Sequence, residues 1–491
     1  MLKLRSWIFL AIAASLSGLL VFFHPPSAHS TPSNPKVLHA IERLSYGPSP
    51  GEIDRVRQMG VEAYIQTQLD PNSIPVPTSL SRELQQFDTL SLTPVELFRQ
   101  YNPNAGKDAS AEEKRRVRER SRQPWQQAQN ARLLRAIASP RQLEEVMVDF
   151  WFNHFNVSGD KNLTRIWIGS YEEDAIRPHV LGRFRDLLGA TARHPAMLFY
   201  LDNWRNTDPN SPQARGQFSG INENYARELM ELHTLGVDGG YTQDDVVVLA
   251  RILTGWGIDR QGERGNANNT GFHFYANRHD ASDKVLLGTR IPGGGIEEVE
   301  TALDLLAKHP STAHHIGYKL AQYFVTDDPP KSLVDRLQKR FTDTDGDIRA
   351  VLESLFDSPE FWDDRYYGKK FKTPYQYLLS AVRATGTETP NFRRVLGSLQ
   401  QLGMPLYRRS TPDGYPNTQE AWLNPDATLR RINLAVQIAR GRLTDDKPID
   451  ADRLSQTFGN LWSDNTQQVL ANSADNLKAG LMLGSPEMMY R

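Results

Sequence analysis

The sequence predicts an all-α fold: a large multi-helix globular bundle with one long loop insertion that carries at most a short β-hairpin. The first observation is that apolar residues recur at helical spacing through most of the chain, as Leu143, Val146, Met147 and Phe150 do. The second is a long stretch, residues 257–295, that lacks this spacing and is rich in Gly and Asn. The composition, 39% hydrophobic and 23% charged among 491 residues, is ordinary for a globular protein.

The first 30 residues have the pattern of a secretory signal peptide. A short basic start is followed by an apolar run over residues 7–23 and then by Pro and small residues. We expect cleavage after Ser30, with Ala28 at the minus-three position. The apolar run is slightly long for a signal core, so an uncleaved membrane anchor is the alternative. The mature chain shows no further segment with the pattern of a membrane span, which predicts a periplasmic, envelope or secreted protein.

Cysteine content and net charge exclude several classes of site. The chain has no Cys, so an exported protein of this sequence has no disulfide, thiol nucleophile, Cys-ligated zinc, lipid anchor on Cys or covalently attached haem. Any metal would need His and carboxylate ligands. The net charge of −1 becomes −3 without the leader, which holds Lys3 and Arg5 and no acid. No overall field recruits nucleic acid or an anionic membrane.

Helical signals follow one another along the chain. From residue 37 to residue 70 the pattern is helical, with Pro50 at a first helical position and Gly60 at a helix end. The basic run at residues 114–122 is interleaved with acids, which is typical of a solvated helix face. Ser139 starts the next strong helix.

The domain prediction has one helical body after the leader. Residues 31–440 form the helical domain, with the loop insertion at residues 257–295 inside it. Residues 441–491 are predicted to be a C-terminal helical extension packed on the same body.

The most unusual segment is the helix predicted over residues 222–236. At about 100° per residue, Leu229, Leu232 and Leu235 define one apolar face, and Glu228 projects between the last two. Burying an unpaired carboxylate costs several kcal/mol, so Glu228 requires a cation, donors or a metal, or must stay protonated. Arg251, on the following helix, is the first candidate partner. Thr242 and Asp245 predict a capping box at the start of that helix.

Two histidines are further candidates for the interior site that Glu228 suggests. His233 lies on the other flank of the Glu228 helix, and His154 falls in the middle of the apolar face of its own helix. One interpretation is structural: a buried ion pair for Glu228 and core histidines satisfied by hydrogen bonds. The other is a functional pocket.

The insertion at residues 257–295 holds further candidates. A connection this long in a compact domain is usually functional or disordered, and we expect a lid or wall over the space that Glu228 faces. His273, His279 and Asp280 are its candidate site residues. The alternative is that they only order the loop.

Several motifs are shared with one known family. The matching segments are LSYGPSPGEIDRV, DFWFNHFNV, NENYARELMELHTLGVDGGYTQDDV, RHD followed by KVLLG, LDLLAKHP, KLAQYFVTDDPP, TDGDIRAVLESLFDSPEFW, FKTPYQYLLSAVRATG and PDGYPNTQEAWLNP. On these segments the chain resembles the bacterial family called domain of unknown function 1800, from about Leu38 to Arg440. The resemblance implies an exported, mainly helical protein, often encoded beside a second exported family, domain of unknown function 1501. It brings no activity or catalytic residues.

Two classes of function follow from the sequence. The first is a non-enzymatic envelope or secreted partner protein, with an exported protein of the domain of unknown function 1501 family as the possible partner. It is favoured by the absence of a Walker loop, a G-x-S-x-G elbow, H-E-x-x-H and a dinucleotide fingerprint. The second is an enzyme with an interior acid–base site built from His154, Glu228, His233 and Arg251.

The cofactor is left open by the sequence. Helix-borne histidines could ligate iron, so a metal- or haem-dependent version of the enzyme is possible. The Glu-x-x-His pair of di-iron bundles is absent, because Met230 stands three residues before His233. No metal ligands are assigned.

Overall fold

The computed structural model describes residues 35–104, 106, 108–263, 269–444, 447–459 and 462–491. The predicted signal peptide lies outside the described residues. Among the helices of these ranges, none is both long and apolar enough to cross a membrane.

The first part of the chain is a series of helices whose apolar faces enter one core. Thr93 illustrates how sequence sets a helix start, because its side chain and Glu96 form a reciprocal capping box. The helices are α1 (Pro35–Leu44), α2 (Glu52–Met59), α3 (Val61–Leu69), α4 (Thr78–Leu84), α5 (Pro94–Tyr101), α6 (Ala111–Arg120), α7 (Gln123–Ala138) and α8 (Gln142–His154).

The middle of the chain contains two short π-helices, each continuing an α-helix. The predicted capping box of Thr242 and Asp245 is confirmed at the start of α13. The elements are α9 (Thr164–Ser170) with the first π-helix (Tyr171–Ile176), α10 (Phe184–Arg193), α11 (Pro195–Tyr200), α12 (Asn224–Glu228) with the second π-helix (Leu229–Thr234), and α13 (Gln243–Ile252).

The remaining helices complete the body. They are α14 (Ile296–Lys308), α15 (Pro310–Phe324), α16 (Lys331–Asp343), α17 (Ile348–Phe356), α18 (Pro374–Ala384), α19 (Phe392–Gln401), α20 (Gln419–Trp422), α21 (Pro425–Ala439), α22 (Ala451–Phe458), α23 (Asp464–Ala471), α24 (Asp475–Leu483) and α25 (Pro486–Met489). Single 3₁₀ turns lie at Pro71–Ser73, Asp88–Ser91, Arg177–His179, Asn203–Arg205, Gly216–Phe218, Ala276–Arg278 and Asp364–Tyr366.

The loop insertion carries two small antiparallel sheets. Strand β1 (Trp256–Ile258) pairs with β2 (Phe272–Phe274), and β3 (Lys284–Leu286) pairs with β4 (Thr289–Ile291). The predicted fold class, an all-α bundle with a short hairpin in one insertion, is confirmed.

One continuous core holds the described elements together. Trp151, Trp167 and Trp256 are fully buried within it. Near the end of the chain α24 packs on α21, and Phe371 forms an isolated β-bridge with Tyr490. Residues close to position 491 therefore lie inside the same body as α1.

Candidate functional site

The helix that carries Glu228 and His233 is not a regular α-helix. After α12 the backbone widens into the second π-helix, and the amide of Leu235 donates to the carbonyl of Met230, five residues back, at 2.8 Å. The wheel assumed at 100° per residue was therefore wrong from Leu229 onward. Leu232 is only half-buried, whereas His233 is 1% exposed. Such π-turns occur frequently at functional sites.

Glu228 is half-buried rather than drawn fully into the core. Burial raises the pKa of its carboxyl above the ordinary value, and the negative charges of Glu231 and Asp413 raise it further. Within the described chain, its carboxylate makes no hydrogen bond or ion pair.

The predicted pairing of Glu228 with Arg251 was wrong. The Nε atom of Arg251 donates to Asp280 at 2.7 Å and its Nη2 atom donates to Ser282 at 2.8 Å. Arg251 thus faces the loop insertion, where a second carboxylate satisfies it, and it takes no part in the surroundings of Glu228.

The two histidines of the prediction do come together. The Nε2 atom of His154 lies 3.0 Å from the carbonyl oxygen of His233, and the two rings are 6.2 Å apart. Burial lowers the pKa of His154 well below its ordinary value and that of His233 to about 3. Among the described residues, the Nδ1 atom of His154 and the Nε2 atom of His233 have no hydrogen-bond partner.

Helix α15 adds two groups that sequence reasoning missed. His315 and Lys319 are four residues apart and so share a face. The His315 ring is 6.1 Å from that of His154, and its Nε2 atom is 3.3 Å from the carbonyl oxygen of Leu232. Burial lowers the pKa of His315 to about 4. The spacing of a His and a Lys beside the apolar face of α15 was the available signal.

Lys319 is the most perturbed cation of this region. Burial lowers the pKa of its amine to about 8, and Asp413 partly offsets that effect. Lys319 in turn lowers the pKa values of His154, His233 and His315. No described residue forms a hydrogen bond or ion pair with its ammonium group.

The loop at residues 405–418 carries Asp413, whose charge acts on Lys319. Asn153, next to His154, donates through Nδ2 to the carbonyl of Tyr415 at 2.8 Å and accepts from the Tyr415 amide at 2.7 Å. Asn156 donates to the carbonyl of Thr411 at 2.8 Å. The end of α8 therefore supplies both a buried histidine and the two amide side chains that hold the loop.

Asp413 itself is exposed and held within its loop. Arg409 donates to it through Nη2 at 3.0 Å, and the hydroxyl of Thr411 donates at 2.5 Å. Its charge raises the pKa values of both Lys319 and Glu228. We name this cluster the Lys319 site and define it as His154, Glu228, His233, His315, Lys319 and Asp413.

A buried ion network lies beside the Lys319 site and was also missed. Arg132 donates to Asp149 at 2.6 Å and to Glu172, on the first π-helix, at 2.8 Å. Tyr407 donates to the same Glu172 carboxylate at 2.8 Å. Burial raises the pKa of Glu172, but Arg132 and Arg177 outweigh it and leave the pKa below the ordinary value. These residues are far apart in sequence, so no local sequence pattern could predict the contacts between them.

A small cavity separates the network from the loop at residues 405–418. Its volume is about 30 Å³, and its lining includes Arg132, Asp149, Asn153, Asn156 and Tyr415. This is room for one or two water molecules.

The candidate lid residues are engaged in ordering the insertion. His279 lies 3.0 Å from Glu298 through Nε2 and 2.9 Å from the carbonyl oxygen of Thr254 through Nδ1. Lys284 pairs with the same Glu298 at 2.6 Å. These contacts match the alternative in which the residues only order the loop.

The other two lid candidates lie in the same insertion. The carboxylate of Asp280 forms an ion pair with Arg251. The ring of His273, in β2, packs against that of Tyr275 at 4.5 Å. The lid role stays a prediction.

The neutral histidines make stability dependent on pH. The folded-state pKa of His233, about 3, lies below its ordinary value of about 6.5, so the unfolded chain binds more protons between these values. Stability should therefore fall as the pH drops below about 6.5, by about 1.4 kcal/mol per pH unit for this residue. We expect His233→Gln to make that decline shallower by the same amount in urea unfolding.

The matched control for this prediction is the exposed His314→Gln. If the free energy of unfolding fell equally steeply with pH for His233→Gln and the wild type between pH 6.5 and 5, His233 would not be a neutral buried residue.

The side chains of the Lys319 site are groups that can gain or lose a proton. Over the ranges described, no group of three or more His, Asp or Glu side chains could hold a metal ion. The site consists of neutral imidazoles, the half-buried amine of Lys319 and the charge of Asp413, which acts on both Lys319 and the half-buried carboxyl of Glu228.

Comparison with known proteins gives a family without an activity. A family model described as "Protein of unknown function (DUF1800)" matches residues 39–490, which takes in the C-terminal segment as well as the Lys319 site. No curated protein and no solved structure matches the chain. The chain belongs to the protein family of unknown function DUF1800.

Proposed function

We propose that this chain is an exported enzyme that performs general acid–base catalysis at the Lys319 site. The observation that carries the proposal is the amine of Lys319, which has no hydrogen-bond or ion-pair partner in the described chain and whose pKa is lowered to about 8. Enzymes tune a lysine base by burial into this range, because a base works best when its pKa is near the working pH. Lys370 also has its pKa lowered to about 8, but its amine is paired with Asp327, whereas that of Lys319 has no such partner in the described chain.

The second catalytic group in this proposal is Glu228. Burial raises its pKa, so the carboxyl and the amine are both shifted toward their neutral forms. In the proposed reaction the neutral amine of Lys319 takes a proton from the substrate. The carboxyl of Glu228, whose raised pKa favours its protonated form, gives a proton to the substrate atom that gains negative charge. Exchange with solvent returns both groups to their starting forms.

The remaining members of the site act on these two groups. Asp413 favours the protonated form of both, because its negative charge attracts an ammonium and repels a carboxylate. His154 and His233 stay neutral because they are buried, so they add no charge beside these two groups.

Asp413→Asn tests the coupling within the site. Removing the charge should lower the pKa values of both Lys319 and Glu228. At pH 7.5 we therefore expect faster acylation of Lys319 by acetic anhydride, measured by mass spectrometry, and a lower titration midpoint for the Glu228 carboxyl in carbon-detected NMR.

The matched control is Asp426→Asn, which removes an exposed carboxylate bonded to Arg430. If Asp413→Asn left the acylation rate and the Glu228 midpoint where the control leaves them, the three groups would not form one site.

Export is the part of the proposal that rests on the sequence. Residues 1–30 have the pattern of a signal peptide with cleavage after Ser30. Mass spectrometry of the protein recovered outside the cytoplasm should find an N-terminus at Thr31. Recovery of the uncleaved chain in the membrane fraction would favour the anchor instead.

The second candidate function is a non-enzymatic partner protein of the envelope. The observation that favours it is the cavity of about 30 Å³ beside the site, since small-molecule pockets enclose roughly 300–1,000 Å³. The proposed partner is an exported protein of the domain of unknown function 1501 family. Co-elution of the two purified proteins, undisturbed by Lys319→Met, would favour this role over catalysis.

A further inference from the structure

A second cluster of charges lies far from the Lys319 site in sequence, where α1, the segment at residues 363–372 and the end of the chain meet. Its cations are all buried, with exposures of 0% for Arg43, 2% for Lys370, 1% for Lys372 and 3% for Arg491. The carboxylates of Glu42 and Asp327 face these four cations, and the charge of Arg491 also acts on Asp149.

The two lysines use up the two carboxylates. Lys372 pairs with Glu42 at 3.0 Å, and Lys370 pairs with Asp327 and also donates to the carbonyl of Asn417 at 2.6 Å. Neither arginine forms an ion pair with a carboxylate among the described residues.

Both guanidinium groups have unused donors. Arg43 donates through Nη2 to the carbonyl of Tyr366 at 2.7 Å, and Arg491 donates through Nη2 to the carbonyl of Tyr323 at 2.7 Å. Within the ranges that the structure describes, Nε and Nη1 of Arg43 and Nε of Arg491 have no hydrogen-bond partner. Guanidinium nitrogens are strong donors that proteins rarely leave unfilled when buried.

The positive charges of Arg43 and Arg491 repel each other. Burial lowers the pKa of Arg43 well below its ordinary value, the charge of Arg491 lowers it further, and Glu42 and Asp327 offset part of this effect. Arg491 also lowers the pKa values of Lys370 and Lys372.

We propose that this cluster binds a small oxyanion of the phosphate or sulfate type. Taking an uncompensated charge out of water is expensive, and arginine does not give up its proton readily, so a counter-anion is the available compensation. An oxyanion offers several acceptor oxygens to the unused guanidinium donors. It thereby ties α1, the chain around Tyr366 and Arg491 together. The inference is independent of the proposed catalysis at the Lys319 site.

The test uses the full mature chain, dialysed free of phosphate and sulfate. Sodium phosphate and sodium sulfate are titrated separately against sodium chloride at matched ionic strength, and the Tm is followed. We expect a saturable rise of several degrees with phosphate or sulfate, because a ligand that binds only the folded state raises the Tm. Arg43→Gln should abolish the rise, whereas Arg57→Gln, an exposed arginine paired with Asp54, should retain it.

A second measurement applies even if Arg43→Gln fails to fold. Wild-type protein purified without added phosphate or sulfate is denatured, and the released anions are measured by ion chromatography. About one equivalent of phosphate or sulfate per chain supports the proposal. The absence of both a released oxyanion and a saturable Tm shift overturns it. An equal, saturable Tm rise with chloride alone overturns the assignment to an oxyanion.

Discussion

Replacing Arg132 by Met is expected to lower the free energy of unfolding by about 3–5 kcal/mol. The side chain of Arg132 is 4% exposed and bonds two buried carboxylates, those of Asp149 and Glu172. Met has a similar length but no charge, so the variant leaves Asp149 without its cation and leaves Glu172 with only the longer ion pair to Arg177 at 3.4 Å. The large effect thus comes from the uncompensated acids rather than from lost packing. Urea unfolding at pH 7.5 measures it.

The control is an arginine in a solvated pair. Arg57 bonds Asp54 at 2.7 Å on the exposed face of α2, and Arg57→Met should cost less than about 1 kcal/mol. If Arg132→Met cost no more than this control, the Arg132 network would not be the stabilising centre of the region behind the Lys319 site.

Gly414→Ala is the second substitution with a large expected effect. Gly414 has a φ of +72°, and a Cβ there would lie 2.3 Å from the carbonyl oxygen of Asn153. The backbone of the loop at residues 405–418 must therefore move away from the end of α8. We expect a loss of stability of about 3 kcal/mol or more, and loss of the hydrogen bonds between Asn153 and Tyr415.

The matched control separates strain from steric contact. Gly403 has a φ of +84°, and a Cβ there meets nothing within 4 Å. Gly403→Ala should therefore cost only the left-handed backbone penalty of about 1–2 kcal/mol. Equal costs for the two variants in urea unfolding would show that the contact with Asn153 does not fix the loop.

The fold was readable from the sequence because its signals are local. Apolar residues at helical spacing predicted the helices, and the capping box of Thr242 and Asp245 marked a helix start that the structure confirms. The insertion was recognisable because it lacked that spacing, and in the structure it carries two small two-stranded sheets.

The site was only partly readable because it depends on backbone detail and long-range contacts. A regular helical wheel could not anticipate the π-helix that buries His233 and leaves Leu232 half-buried. Arg251 was the nearest cation to Glu228 in sequence, yet Asp280 satisfies it across the insertion.

Groups that meet only in three dimensions were missed altogether. Lys319 lies in α15 and Asp413 in a loop held by Asn153, and no short motif joins them. Their proximity depends on how α15 packs against the second π-helix and on the loop that Asn153 holds, neither of which the sequence pattern arranges in space.

The most direct test of the account is the pKa of the Lys319 amine in the native mature chain. Lysines are reductively dimethylated with ¹³C-formaldehyde and a borane reductant, and the Lys319 signal, identified by its loss in Lys319→Arg, is titrated by NMR. The account predicts a midpoint of about 8. A midpoint of about 10 or higher, the ordinary range of lysine, would contradict it.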